Sequence, residues 1–408
     1  MANNHLQKYA ELAVKIGANV QKEQMVVIQG AVDAALLVRM ISTESYKAGA
    51  GRVFVEWTDG EVTRDFYLFS SDEELKKVPK WTIDKLDYFM DNGACFIHVS
   101  SPIVGVNKDV NPDQLQTFQK AMEPHMRKRR EYTMANHGQW TIVAYPNVVW
   151  AKKVFPYLDD EKAYDELMKM LLYVSRVDED PINNWNLHNA ELKKHNQTLT
   201  DFNFKSLHFK NSLGTDLVVG LADDHIWNGG QDVTTKGISF NPNIPTEETF
   251  TMPHKFHVDG KVVATKPLDF DGKLIEDFSF VFKDGKVLEY DAKTEKELLG
   301  QLLNYDEGAS HIGEVALVPH DSPISNSNIL FYNTLLDENA ACHLALGKAY
   351  PNCIRNSLDL SQEELNKRGY NHSMIHIDFM FGSSDMEITG LTQSGKKIKI
   401  FEKGNFVI

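Results

Sequence analysis

At 408 residues the chain is too long for a single compact core, so two domains are expected. Hydrophobic residues make up 42% of it and charged residues 25%, the balance of a globular enzyme and not of a disordered or fibrous chain. A formal net charge of −14 argues against a nucleic-acid partner, which would need basic stripes for phosphate.

The first half alternates helices and strands. Residues 3–22 place Leu6, Tyr9, Ala10, Ala13 and Ile16 at helical spacing. QMVVIQG (24–30), RVFVEWTD (52–59), ACFIHVSSP (94–102) and WTIVAYP (140–146) read as strands separated by helical patterns. Strand–helix–strand units of this length predict an α/β layer with a largely parallel sheet. No GxGxxG and no phosphate loop follows these strands, so a nucleotide fold is not supported. His98 alternates within an apolar strand and reads as a core histidine. Arg127–Arg130 reads as a solvated helix face.

After the amphipathic helix predicted over 160–177, the polar, Pro-containing DEDPINNW (178–185) marks the boundary. The expected organisation is an α/β domain over 1–180 and an α+β domain over 181–408 that carries the chemistry. The second half is built of short alternating segments split by Gly, Asp and Asn turns. In FSFVFKDGKVLEYDA the Asp-Gly pair is a hairpin signal. GLTQSGKK (390–397) lacks the final Ser or Thr of a phosphate loop and reads as a turn.

Four stretches of this half carry candidate chemistry. NPNIPTEETFTMPH (241–254) holds adjacent Glu247 and Glu248, which in an extended segment point to opposite sides, so that one at most faces a given centre. HIGEVALVP (311–319) places Glu314 at the mouth of an apolar strand, where a carboxylate is either edge protection or a ligand. DENAACHLALGKAY (337–350) is predicted to be helical, with Asp337 as N-cap, Glu338 at its entrance, His343 and Tyr350 on one face, and Pro351 as its stop. In MIHIDFMFG (374–382) His376 and Asp378 share one strand face while Ile375, Ile377 and Phe379 take the other. A histidine and an aspartate in such apolar company are costly to bury without a cation or full hydrogen bonding.

Together Glu248, Glu314, Glu338 and Asp378 would supply four negative charges, matching two divalent cations. His343 and His376 would add nitrogen ligands suited to zinc, cobalt or manganese. Two such ions can share one carboxylate, activate a water and polarise a carbonyl. Glu314 is the candidate for the bridging or base-like carboxylate, and Tyr350 for a hydrogen-bond donor to an oxyanion. A dinuclear phosphoesterase would use a similar cage but would need more basic residues nearby than Lys348 and Arg355. A peptide-binding module without catalysis would need no metal at all. No GxSxG occurs, which argues against serine chemistry.

The blocks NIPTEETFTMPH, DEGASHIGEVALVPHDSPIS, FYNTLLDENAACHLALGKAY and HSMIHIDFMFGS closely resemble the signature blocks of the thermophilic-type metalloaminopeptidases, the group of aminopeptidase T, aminopeptidase S and PepS. The resemblance runs over essentially the whole chain, including RVDEDPINNW and DLVVGLADDHIWNGG. It implies an exopeptidase that releases N-terminal residues from peptides, with two divalent ions per subunit. The family's ligands fall on Glu248, Glu314, His343, His376 and Asp378, and its catalytic tyrosine on Tyr350, while Glu338 lies inside a matching block. A homodimer enclosing a cavity is also implied, favouring peptides over folded proteins. Three cysteines without a CxxC, no apolar run long enough to span a bilayer and no continuous apolar signal core lead to the expectation of a reduced, cytoplasmic protein.

Overall fold

The computed structural model describes residues 2–270 and 273–408. It is a mixed α/β molecule of two compact units. One comprises Met1–Leu187 with Gln231–Pro245, and the other His188–Gly230 with Thr246–Ile408.

The first unit is built on a parallel sheet of β1 (Met25–Ala31), β2 (Arg52–Thr58), β3 (Cys95–Ser100) and β4 (Trp140–Ala144), in the order β2-β1-β3-β4. Val26, Val27 and Ile28 in β1 are fully buried, as a continuous apolar run requires when helices cover both faces. The helix Ala35–Lys47 contributes Leu37, Val38 and Ile41 to that core. A two-residue strand, Asn243–Ile244, completes the sheet beside β4. It is too short to have a period, so no pattern in the sequence forecasts it. In the basic run, Arg127 and Arg130 pair with Glu131 and Glu123 as a solvated face predicts. Arg129 is the exception: it turns inward, donates to Gln29 Oε1 at 2.7 Å and lies over the Phe96 ring.

In the second unit an eight-stranded antiparallel sheet runs from Lys286–Asp291 at one edge to Asn405–Phe406 at the other. The predicted Asp-Gly hairpin joins Ser279–Lys283 to Lys286–Asp291, with Asp284 and Gly285 both at positive φ (48° and 81°), as a type I′ turn demands. Against this sheet stands a smaller antiparallel one of β5 (Thr249–Thr251), β6 (Ile312–Leu317), β7 (His343–Gly347) and β8 (His376–Met380), in that order. Val315, Leu317, Leu344, Leu346 and Phe379 from one of its faces join Val258, Val262, Phe280 and Phe282 of the large sheet in a single core. Phe379 meets Phe280 at 5.1 Å between ring centroids. Truncating such a ring to Ala costs about 3–5 kcal/mol.

The helix predicted over 337–350 is not formed. A short helix, Thr334–Asp337, and a 3-10 turn, Glu338–Ala340, lead into the strand β7. Leu344 and Leu346 alternate with His343 and Ala345, and pairing to strands on both sides overrides the local helical spacing. Asp337 is no N-cap. Its buried carboxylate accepts from Phe331 N at 2.8 Å and Asn333 N at 3.0 Å, and burial pushes its pKa up to about 6. Pro351 opens a 3-10 turn, Pro351–Cys353, and ends no helix.

Candidate metal centre

The face of the small sheet opposite the core carries the chemistry, and strand alternation determines which residues it presents. In β7 His343 and Ala345 point away from the core, and in β8 His376 and Asp378 do so, with Ala345 directly opposite Asp378. Glu248, just before β5, lies on the side of Phe250 and away from buried Thr249. Glu314 reaches this face by a device. Ile312 pairs with Leu346 in the core register, yet Glu314 pairs with Ala345, so that Gly313 is one residue too many. Without this β-bulge Glu314 would fall opposite Leu344 and point into the core. A Cβ on Gly313 would stand 2.4 Å from the carbonyl oxygens of Gly347 and Lys348, so glycine alone fits there.

The side chains converge. His343 Nε2 lies 3.1 Å from Glu248 Oε2 and 3.5 Å from Glu314 Oε1. His376 Nε2 lies 3.5 Å from the other Glu314 oxygen, Oε2, and 3.5 Å from Asp378 Oδ1. Two donor triads result, Glu248–Glu314–His343 and Glu314–His376–Asp378, with the atoms of each within 4.8 Å of one another and Glu314 common to both. Each imidazole is oriented through its far nitrogen: Nδ1 of His343 faces Ala341 O at 3.3 Å, and Nδ1 of His376 faces Lys348 O at 2.7 Å. Donation to a backbone carbonyl leaves the Nε2 lone pair aimed into the cluster, the usual arrangement for a ligating histidine.

Glu338, on the 3-10 turn, is half-buried and stands beside this cluster as a member of neither triad. Tyr350 follows β7 in a loop, its ring 4.6 Å from that of His376 and 6.1 Å from that of Phe250. The expected pairing of Tyr350 with His343 along a helix is thus replaced by contact with His376.

Electrostatically the cluster is short of positive charge. Burial raises the Glu314 pKa, and the charges of Glu248 and Asp378 raise it further against the His343 hydrogen bond. Burial, Asp378 and Glu248 push Glu338 well above the carboxylate range. Burial alone would lower both imidazoles, yet hydrogen bonds to Glu248 and Glu314 hold His343 well above its ordinary value, and Asp378 lifts His376 to about 9. Burial would raise Asp378, but His376 pulls it below the usual carboxylate value. Burial and the surrounding acids push the Tyr350 phenol up. Asp378 Oδ1 is buried without a hydrogen bond of its own. The donor separations of 3.1–3.5 Å bracket the edge of a tetrahedron with bonds of about 2.0–2.1 Å, roughly 3.3 Å. Donor chemistry, separations and the orphaned oxygen all fit divalent metal.

The sequence pattern of the thermophilic metalloprotease (M29) family matches residues 2–406. The chain belongs to this family. It is 43% identical to aminopeptidase 2 of Geobacillus stearothermophilus over 98% of this chain and 97% of that one. It is 41% identical to aminopeptidase AmpS of Bacillus subtilis (strain 168) over 98% of each. The structure of wild-type AmpT from Thermus thermophilus matches with a TM-score of 0.94 at 36% identity, covering 100% of both chains. This M29 chain is a metalloaminopeptidase, a hydrolase of the exopeptidase class that uses divalent metal and acts on peptides. Among its described residues no helix is long and apolar enough to cross a membrane.

Parts of the M29 site escape a reading by residue type. Glu247 is buried and directed away from the triads, its carboxylate 3.7 Å from His188 Nε2. Its backbone N–H donates to Asn339 Oδ1 at 2.7 Å, and Asn339 Nδ2 donates to Leu335 O, which ties the Glu247–Glu248 segment to the turn carrying Glu338. Asn371 likewise donates to Gly308 O and Gly347 O, holding the end of β7. Asn339 lies within the DENAACH block, but nothing in its spacing distinguishes it from a surface amide.

Proposed function

We propose that Glu248, Glu314, Glu338, His343, His376 and Asp378 hold two divalent ions, zinc, cobalt or manganese, and that the enzyme uses them to release N-terminal residues from unblocked peptides. The observation that carries this reading is Glu314, which turns one carboxylate oxygen to each histidine and belongs to both triads. All six residues lie within the unit His188–Gly230 with Thr246–Ile408. On this reading the catalytic part is the α+β portion expected over 181–408, and the α/β portion over 1–180 is not part of the cage.

Bound there, the ions would supply Lewis acidity, drawing charge from the scissile carbonyl and making a water nucleophilic near neutral pH. The chain's residues do the rest. The substrate's terminal ammonium docks at the edge of this cage, among its carboxylates. Glu314, with one carboxylate oxygen turned toward each histidine, would hold the attacking water in line with the carbonyl. Tyr350 donates its phenolic hydrogen to the oxyanion that develops on the carbonyl. His376 and Asp378 fix the position of that ring and of the substrate beneath it.

The working unit is a homodimer around a cavity that admits peptides, placed in a reducing, cytoplasmic compartment. None of Cys95, Cys342 and Cys353 forms a disulfide, which is compatible with that placement. The test is release of amino acids from one peptide in unblocked and N-acetylated forms, each with chelator and after metal is restored. The expected result is cleavage of the unblocked peptide only, lost with chelator and regained with metal. Cleavage of the acetylated peptide, or activity indifferent to chelator, would refute the reading.

A further inference from the structure

Besides its ligands, the working face of the small sheet carries few side chains, and most of them are small or buried. Ala316 and Ala345 are small, and Met380 is 5% exposed. Phe250 is different. It stands opposite Ala316, two residues from Glu248 on the same side of an extended segment, and remains half-buried. It packs on an apolar cluster that includes Ala222, Met252, Ile354 and Tyr370, together with the partly buried Tyr350 and Leu360. Its ring stands edge-on to Tyr350, which in turn leans on His376. Phe250, Tyr350 and His376 thus form a continuous wall beside the two triads, apolar at its Phe250 end.

That wall is rigid. Phe250 exchanges both backbone hydrogen bonds with Asn228 at 2.8 and 2.9 Å, and β6 holds the strand from the other side. Glu248 and Phe250 stand on the same side of one extended segment, their Cα atoms about 7 Å apart, so a substrate whose ammonium sits among the carboxylates has Phe250 within reach of its side chains. Resting on the aminopeptidase reading above, we propose that Phe250 determines specificity: it walls the pocket for the side chain of the residue being released and selects large apolar N-terminal residues.

The experiment compares kcat/KM for Leu-Ala, Phe-Ala, Ala-Ala, Lys-Ala and Ala-Leu, using the metal-loaded wild type and the Phe250→Ala and Phe250→Leu variants. The wild type is expected to prefer Leu-Ala and Phe-Ala over Ala-Ala and Lys-Ala by about tenfold or more. Phe250→Ala lowers the Leu-Ala to Ala-Ala ratio by about tenfold, whatever fall the two rates share. Phe250→Leu, which keeps apolar surface in a fold-conserving change, retains most of the Leu-Ala preference and loses more of that for Phe-Ala. A wild type without preference for large apolar first residues overturns the proposal. So does an equal fall on every substrate, or a shift confined to the Ala-Leu to Ala-Ala ratio. A wild type that releases nothing from any of the peptides would instead overturn the aminopeptidase reading beneath it.

Discussion

On the proposed reading, Glu314 and Tyr350 carry the chemistry at the scale of single residues. Glu314 is buried to 5% exposure on a strand whose residues are all buried, an expensive place for a carboxylate unless cations face it. Tyr350 is no ligand in the proposed cage, so on that reading its hydroxyl can be removed without taking one away. Tyr350→Phe should therefore keep its full complement of metal while kcat falls by about 10²–10³, the loss typical of an oxyanion donor. Metal content by elemental analysis beside steady-state kinetics checks this. Unchanged kcat, or loss of metal, would remove Tyr350 from the assigned role. The types and directions of His376 and Asp378 were legible in the sequence, because i and i+2 on an apolar strand admit one arrangement. For His343 and Tyr350 the types were legible but the directions were not, since DENAACHLALGKAY fits a helix as well as a strand until neighbouring strands pair with it.

The β-bulge at Gly313 decides the outcome for the small sheet as an element. The spacing from Ile312 to Val315 to Leu317 is three and then two, which local pattern treats as noise, yet it moves Glu314 from the core face to the working face. The strand was legible in the sequence, and the bulge was not, because its cause is a backbone approach from Gly347 and Lys348 more than thirty residues away. Gly313→Ala must push that backbone aside. We expect a loss of about 1–3 kcal/mol in stability, measured by urea unfolding, together with weaker metal retention because Glu314 is displaced. A variant with wild-type stability and metal affinity would show that the bulge tolerates a side chain and is not the constraint described.

On the scale of the whole molecule, alternation of helix and strand revealed the parallel sheet, and turn chemistry revealed the antiparallel half. The return of Gln231–Pro245 to the first unit had no sequence signal, since a two-residue strand carries no period. Acid stability also belongs to this scale. Asp385 joins two loops of the second unit, accepting from Ser212 N at 2.8 Å and Ser383 Oγ at 2.7 Å. Hydrogen bonds from Ser212 and Ser383 lower its pKa from 3.8 to about 2. A carboxylate with its folded pKa depressed stabilises the fold above its unfolded pKa and loses that contribution as pH falls through the folded one. Asp385→Asn should therefore be less stable than wild type at pH 6, with the difference closing between about pH 4 and pH 2. Urea midpoints measured across that window test it, and a difference independent of pH would contradict the assignment.

The central claim is that one carboxylate is shared by two cations. Elemental analysis of metal-loaded protein after gel filtration tests it most directly, comparing wild type with Glu314→Ala. Two divalent ions per wild-type chain are expected, and at most one, weakly held, in the variant. A single ion in the wild type, or two retained without Glu314, would contradict it.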